Sequence, residues 1–190
     1  MFVARDARGE LVNVLEDKLE KQVYTCPACG GQLRLRQGPS VRTHFAHKTL
    51  KDCDFSSENE SPEHLANKEA LYHWLKKETD VQLEYPIPEL KQIADVFVNG
   101  SLALEVQCSP LAQKILKGRS EGYRSQGYQV LWLLGEKLWL KKRLSRLQQG
   151  FLYFSHNMGF YVWELDSEAQ VLRLKRFLSQ SFSPSNHSTW

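Results

Sequence analysis

Two acids in the stretch IADVFVNGSLALEVQC, Asp95 and Glu105, have the spacing to do metal chemistry. Asn99-Gly100 is a hairpin signal. A two-residue turn would place Asp95 opposite Leu104 and split the apolar side chains between the two faces. A register one residue longer pairs Val98 with Leu102, Val96 with Leu104 and Ala94 with Val106. Six apolar side chains then share one face, and Asp95, Glu105 and Gln107 gather on the other, with Asp95 directly opposite Glu105. Burial of one face fixes register strongly, so the longer, bulged turn is expected. Two carboxylates opposed across a strand pair repel. A divalent cation reverses that sign, and magnesium takes carboxylate oxygens together with phosphate and water. An ion so held activates water and stabilises the leaving oxygen in phosphodiester cleavage. The competing reading is an acid that faces solvent or pairs with a lysine. A third acid, Glu63, falls in the first turn of an expected helix, on the side of Ala66, Ala70 and Trp74, so it points to the core edge. Taken alone, it is an ordinary acid at the positive end of a helix dipole. The adjacent His64 suits a proton donor, a phosphate contact or a plain surface residue.

A second constellation lies upstream. CPAC (26–29) is a Cys-x-x-Cys knuckle, followed by His44 and His47 in HFAH and then by Cys53. Two cysteines three apart on a tight turn supply half of a tetrahedral zinc site. Cys53 is the natural third ligand. His47 is favoured over His44 as the fourth because it lies nearer Cys53, and on a strand the two histidines point to opposite faces. Four protein ligands leave no position for water, so such a zinc is structural and contributes folding energy to a segment too small for a full core. In a reducing compartment this cluster reads as a metal site rather than a disulfide frame.

The elements that must position these residues follow from pattern. LVNVL (11–15) and QLRLR (32–36) alternate as half-buried strands do. SSENESP (56–62) is the expected boundary. Ser61 with Pro62 starts a helix running to about Lys77. Strands are expected at 81–86, 92–98 and 102–108, and a helix from Ser109-Pro110 towards Ser125. QVLWLL (129–134) reads as a buried strand, 136–148 as a basic amphipathic helix, and two or three strands close the chain. The α-β-β-β-α-β order from residue 61 calls for a sheet with covering helices, an α/β fold. The divisions expected are 1–58, 59–150, 151–178 and a disordered tail at 179–190.

Composition limits the function classes. With 42% hydrophobic and 25% charged residues, the 190-residue chain has enough apolar material for one core and a small module. No stretch approaches the roughly 20 apolar residues of a membrane span. The first residues lack a secretory signal's pattern, so the cytoplasm is the expected location. A net charge of +3 says little about nucleic acid. The cluster Lys137, Lys141, Lys142, Arg143, Arg146 is a solvated helix face or a phosphate-binding patch.

Taken together, C-P-A-C…H-F-A-H…C, S-P-E-H-L-A-N-K, A-D-V, L-E-V-Q-C-S, R-S-E-G-Y and V-L-W-L-L-G resemble the competence protein CoiA family over about residues 1–150. The resemblance implies a PD-(D/E)XK restriction-endonuclease-like core behind a zinc-ribbon or treble-clef-like module. It implies magnesium or manganese as catalytic metal, DNA as substrate (single-stranded or branched), and RecA and the recombination machinery as partners in natural transformation. Carried over residue by residue, it makes Glu63 the helix acid, Asp95 the motif Asp, Glu105 the Glu of E-x-K and Gln107 the Lys position. Arg119 and Tyr123 match the following helix. Gln at 107 keeps a donor and loses the charge, which Lys68 or Lys114 could supply from a helix. An accessory factor that binds DNA without cutting it is the alternative function. A zinc protein that binds RNA is a third. The chain also looks short for the family, as a truncated C-terminal region would.

Overall fold

The computed structural model describes residues 1–49, 53, 55, 60–141 and 143–177. Residues 56–59 of the expected boundary, Lys142 and the expected disordered tail lie outside them. The first sheet contains β1 (Val3–Arg5), β2 (Leu11–Asn13), β3 (Tyr24–Thr25), β4 (Gln32–Gly38) and β5 (Val41–His47), in the order β2-β1-β3-β4-β5. Alternation along QLRLR sorts its two faces as expected. Leu33 and Leu35 pack with Tyr24, Cys26 and Phe45, while Gln32, Arg34 and Arg36 are exposed.

The second sheet begins with α1 (Pro62–Leu75), whose N-cap Ser61 accepts the His64 amide at 3.1 Å. β6 (Val81–Ile87), β7 (Gln92–Val98) and β8 (Leu102–Gln107) follow as an antiparallel run. α2 (Gln113–Ser125) then carries the chain across to β9 (Gln129–Leu134), parallel to β8. A parallel neighbour requires such a crossover. The short α3 (Arg146–Gln149) leads to β10 (Tyr153–Ser155), β11 (Gly159–Asp166) and β12 (Val171–Arg176). The strand order is β10-β11-β9-β8-β7-β6, with β12 also paired to β11. The expected α-β-β-β-α-β order is the observed one.

Two apolar layers sandwich this sheet. On one side Leu65 and Leu71 of α1 meet Val96, Val98, Leu104 and Val106, and Phe2 and Val3 enter the same layer from the first sheet. Full burial of Phe2 is worth about 1.5–3 kcal/mol, so the two sheets are packed together rather than tethered. On the other side Tyr123 of α2 covers Ile87, Ala94, Phe97 and Ala103.

The hairpin register pairs Val96 with Leu104 and Val98 with Leu102, as the longer turn requires. Asn99 and Gly100 both take the left-handed conformation there. One apolar residue departs from the expectation of a common face. Ala94 packs on the α2 side, not with the other five. The cause is a break in alternation at Glu84, whose φ is +53°. Leu83 faces α1, yet Tyr85 stacks on Phe97 at 4.6 Å across the sheet. Opposite the break, Asp95 turns its carboxylate onto the Val106 amide at 2.8 Å.

Two helix expectations need correction. α2 starts at Gln113 on an Ala112 cap that makes no side-chain bond, because Leu111 is buried in the layer with Trp132 and Phe151. The expected helix at 136–148 is a 3-10 turn at Glu136–Leu138 and, separately, the four-residue α3. Tertiary bonds take its backbone groups: the Leu140 amide donates to Glu164 at 2.7 Å, and Gln148 donates to the carbonyls of Leu138 and Trp139 at 3.0 and 3.1 Å.

Candidate active-site cleft and thiol–imidazole cluster

A cleft of about 700 Å³ opens between the outer face of β4–β5 and the second sheet. Asp95, Glu105 and Gln107 from β7 and β8 line it, as do Glu60, His64 and Lys68 at α1, Glu84 from β6 and Arg119 from α2. The hairpin therefore brings both expected acids to one cavity.

Each carboxylate on the floor has its own charge environment. Asp95 accepts from His64 at 3.1 Å and from the Val106 amide, with Lys68 at 3.9 Å. Burial opposes its charge, but His64 and Lys68 outweigh burial and hold its pKa below the usual range. In turn burial works against the His64 cation, and Asp95 overcomes it, so His64 titrates above its ordinary value. Glu105 is 1% exposed and accepts from Arg119 at 2.7 Å and from the Tyr123 hydroxyl. Burial dominates there. It pushes Glu105 up to about 7 against the pull of Arg119, and the neighbouring Asp95 adds to the rise.

Lys68 is fully buried and bridges Glu60 and Glu84, the latter at 2.5 Å. Those carboxylates raise its pKa despite desolvation. The second oxygen of Glu84 accepts the amides of Phe2 and Val3 at 2.7 and 2.9 Å. The left-handed backbone at Glu84 thus aims one carboxylate at both α1 and the first sheet. Among the described residues Glu60, His64 and Asp95 also form a group whose ligand atoms lie within 4.8 Å of one another.

Several expected site residues lie elsewhere. Glu63, expected as the helix acid of the site, is absent from the cleft lining. Its carboxylate accepts the Glu136 amide at 2.6 Å beyond β9, beside the buried Cys108, whose thiol burial pushes up to about 12. Lys114 is exposed on α2 and also outside the lining. Tyr123 is completely buried, its hydroxyl donating to Glu105, and Lys68, though it borders the cleft, is paired with Glu60 and Glu84. Gln107 lines the cleft and donates to the Ser109 carbonyl at 2.8 Å. Sequence reasoning missed Glu60 and Glu84. Glu84 looks like any polar residue of VQLEYPI, and Glu60 sits in a polar run.

The other constellation sits at the loop joining β3 to β4. The Cys26 amide donates to the Gly31 carbonyl at 2.8 Å, and the Gly31 amide reaches Cys29 Sγ at 3.4 Å. Gly30 is left-handed, at φ +72°. A Cβ at 31 would meet Cys29 Sγ at 3.2 Å, a close contact that the sulfur would have to yield to. His47 Nε2 lies 3.4 Å from Cys29 Sγ, and Cys26, Cys29 and His47 form a group able to hold a metal ion. Cys53 adjoins it. Burial and the neighbouring Cys29 thiol push its own thiol up to about 12. His44 lies on the opposite face of β5 from His47, with Nδ1 on the Arg42 carbonyl at 2.7 Å, and both histidines border the cleft. β5 separates the two histidines by face, as a strand must.

Among the described residues no helix is long and apolar enough to cross a membrane. No solved structure matches the chain. Residues 11–56 match the family description "Competence protein CoiA, N-terminal domain" and residues 60–188 match "Competence protein CoiA, nuclease-like domain". The chain is 34% identical over 142 residues to "Competence protein CoiA" of Bacillus subtilis (strain 168), covering 73% of this chain and 37% of that relative. It thus spans little more than a third of that protein's length. Matched along both its sheets, the chain belongs to the Competence protein CoiA family and carries its nuclease-like domain.

Proposed function

We propose that the chain is a metal-dependent DNA nuclease of the PD-(D/E)XK type, acting on imported DNA during transformation and recombination alongside RecA. The observation that carries this reading is the meeting of Asp95, Glu105 and Gln107 from one hairpin with His64, Lys68 and Arg119 in a single cleft. The donor set suits a hard divalent cation. Asp95 and Glu60 offer carboxylate oxygens and His64 a nitrogen, within 4.8 Å of one another. Glu105 stands next to them as a buried acid whose charge a cation would relieve. Magnesium or manganese bound there would supply an activated water and charge neutralisation at the leaving oxygen. Arg119 steadies Glu105, Lys68 holds Glu60 and Glu84 in place, and Gln107 orients water where the family pattern has lysine.

The Cys26, Cys29 and His47 cluster, completed by Cys53, fits a closed structural zinc. Its soft donors contrast with the oxygen donors of the cleft.

Cleavage of labelled single- and double-stranded DNA, with magnesium or manganese, tests the enzymatic reading. Activity that disappears in both Asp95→Asn and Glu105→Gln supports it. A second reading, a platform that binds DNA without cutting it, draws on Gln107 and on the engagement of Glu105 by Arg119 and Tyr123. Tight binding without cleavage in either metal would favour that role.

A further inference from the structure

The cleft has a second wall, and its chemistry differs from the floor. Along β4, Gln32, Arg34 and Arg36 share one face. Across the strand pair Arg34 stands opposite Ala46 and Arg36 opposite His44, and Lys48 Nζ reaches Gln32 at 3.1 Å. Arg34, Arg36, His44 and Lys48 all line the cleft, with Lys137 contributed from beyond β9. Several surface cations are paired with acidic neighbours, Arg8 with Glu10, Arg42 with Glu69, Lys117 with Glu121 and Arg173 with Asp166. Arg34, Arg36 and Lys137 have no acidic partner among the described residues. The small Ala46 stands opposite Arg34 on β5. An unpaired row of arginines facing a cavity is a site for phosphate, since the planar fork donates to two phosphate oxygens at once.

Spacing and shape narrow the ligand. Arg34 and Arg36 lie two residues apart on a strand, about 7 Å, which suits successive phosphates of one extended chain. The acids are recessed: the Asp95 side chain is 14% exposed and Glu105 1%. A duplex, with a persistence length of about 150 base pairs, is too stiff to fold its backbone into such a cavity. A single strand bends into it. Ile93 and the half-exposed Ile115 line the same cavity and offer apolar contact to bases.

We propose that the outer face of β4–β5 is the phosphate-gripping wall of a channel for single-stranded DNA, with Arg34 and Arg36 as its principal contacts. This inference rests on the nuclease reading for the direction in which the strand is presented, the floor below and the wall above. It gives the N-terminal sheet a binding role besides any structural one.

The test is fluorescence anisotropy with a labelled oligothymidylate and a labelled duplex, with no divalent metal added, so that binding is read apart from cleavage. Arg34→Glu/Arg36→Glu is compared with Lys18→Glu/Lys117→Glu, which changes net charge equally on exposed positions away from the cleft. Melting curves check that both variants fold. The wall variant is expected to lose about tenfold or more in single-strand affinity. Its slope of log affinity against log salt should fall by about 1.4, from roughly 0.7 per phosphate contact released. The control should lose far less. Equal losses in the two variants, an unchanged salt slope, a preference for duplex, or no single-strand binding by the natural chain would each overturn the proposal. Binding that depends on Arg34 and Arg36 without cleavage would sustain the wall while defeating the nuclease reading.

Discussion

The two constellations of this chain are built in opposite ways. The thiol–imidazole cluster draws three of its groups from one hairpin region, with Cys26 and Cys29 on a single knuckle and His47 at the end of the neighbouring strand. Burial pushes the Cys26 and Cys53 thiols upward. The cleft floor draws its groups from α1, β6, β7, β8 and α2, and most of them are already charged and paired. One group is local and soft, of a kind able to hold a metal ion; the other is non-local, hard and held by pairing within the fold. The difference teaches where each will fail: the first when a ligand or the ion is removed, the second when one charge of the buried network is left unpaired.

The largest effect should come from the knuckle. Structural zinc supplies much of the folding free energy of a small module, and Phe2 and Val3 of the same sheet fill the main core. Cys26→Ser is therefore expected to abolish metal binding, from about one zinc per chain to none by elemental analysis, and to lower the melting temperature of the whole protein. Retention of metal and stability in that variant would erase the contrast between the two sites.

Next comes the buried lysine. Lys68→Met takes from the buried Glu84 its one cation among the described residues and from Glu60 one of its partners beside the Met1 amino group and His64, a change of the kind that costs about 3–5 kcal/mol. Urea unfolding measures it. Lys68→Met combined with Glu84→Gln should recover part of the loss, because the uncompensated charge is then smaller. A loss in the single variant no greater than a surface pair's, up to about 1 kcal/mol, would mean that the network is not what holds the floor.

A smaller effect is a pH dependence. In its ordinary state a glutamate loses its proton near pH 4.3, whereas burial holds Glu105 up to about 7 in the fold. The folded chain thus binds more protons than the unfolded one between those values. The contribution of Glu105 to stability is fully present below the lower value and declines as pH rises through the upper one. Without added divalent metal, Glu105→Gln should flatten this decline. An identical pH profile in the variant would show that Arg119 already neutralises the acid.

Much of this was readable from sequence where a local rule governs. The hairpin register followed from alternation between Val96 and Leu104, and the knuckle from Cys-x-x-Cys spacing. The α1 start followed from Ser61-Pro62. What sequence could not give depends on tertiary partners. Glu84 acquires its role through a left-handed backbone and the docking of Phe2 and Val3. Glu63 satisfies every pattern for a site acid, yet an amide after β9 captures it. The basic run at 136–148 has helical periodicity, but Glu164 and Gln148 take its backbone groups. Arg34 and Arg36 read only as the polar face of a strand until the cleft opposite them is seen.

Manganese titration followed by electron paramagnetic resonance, on protein already loaded with zinc, tests most directly whether the floor is a hard-cation site. One manganese should bind per chain, and Asp95→Asn should abolish that binding while leaving zinc content unchanged. Equal manganese binding by the natural chain and the Asp95→Asn variant would contradict the assignment.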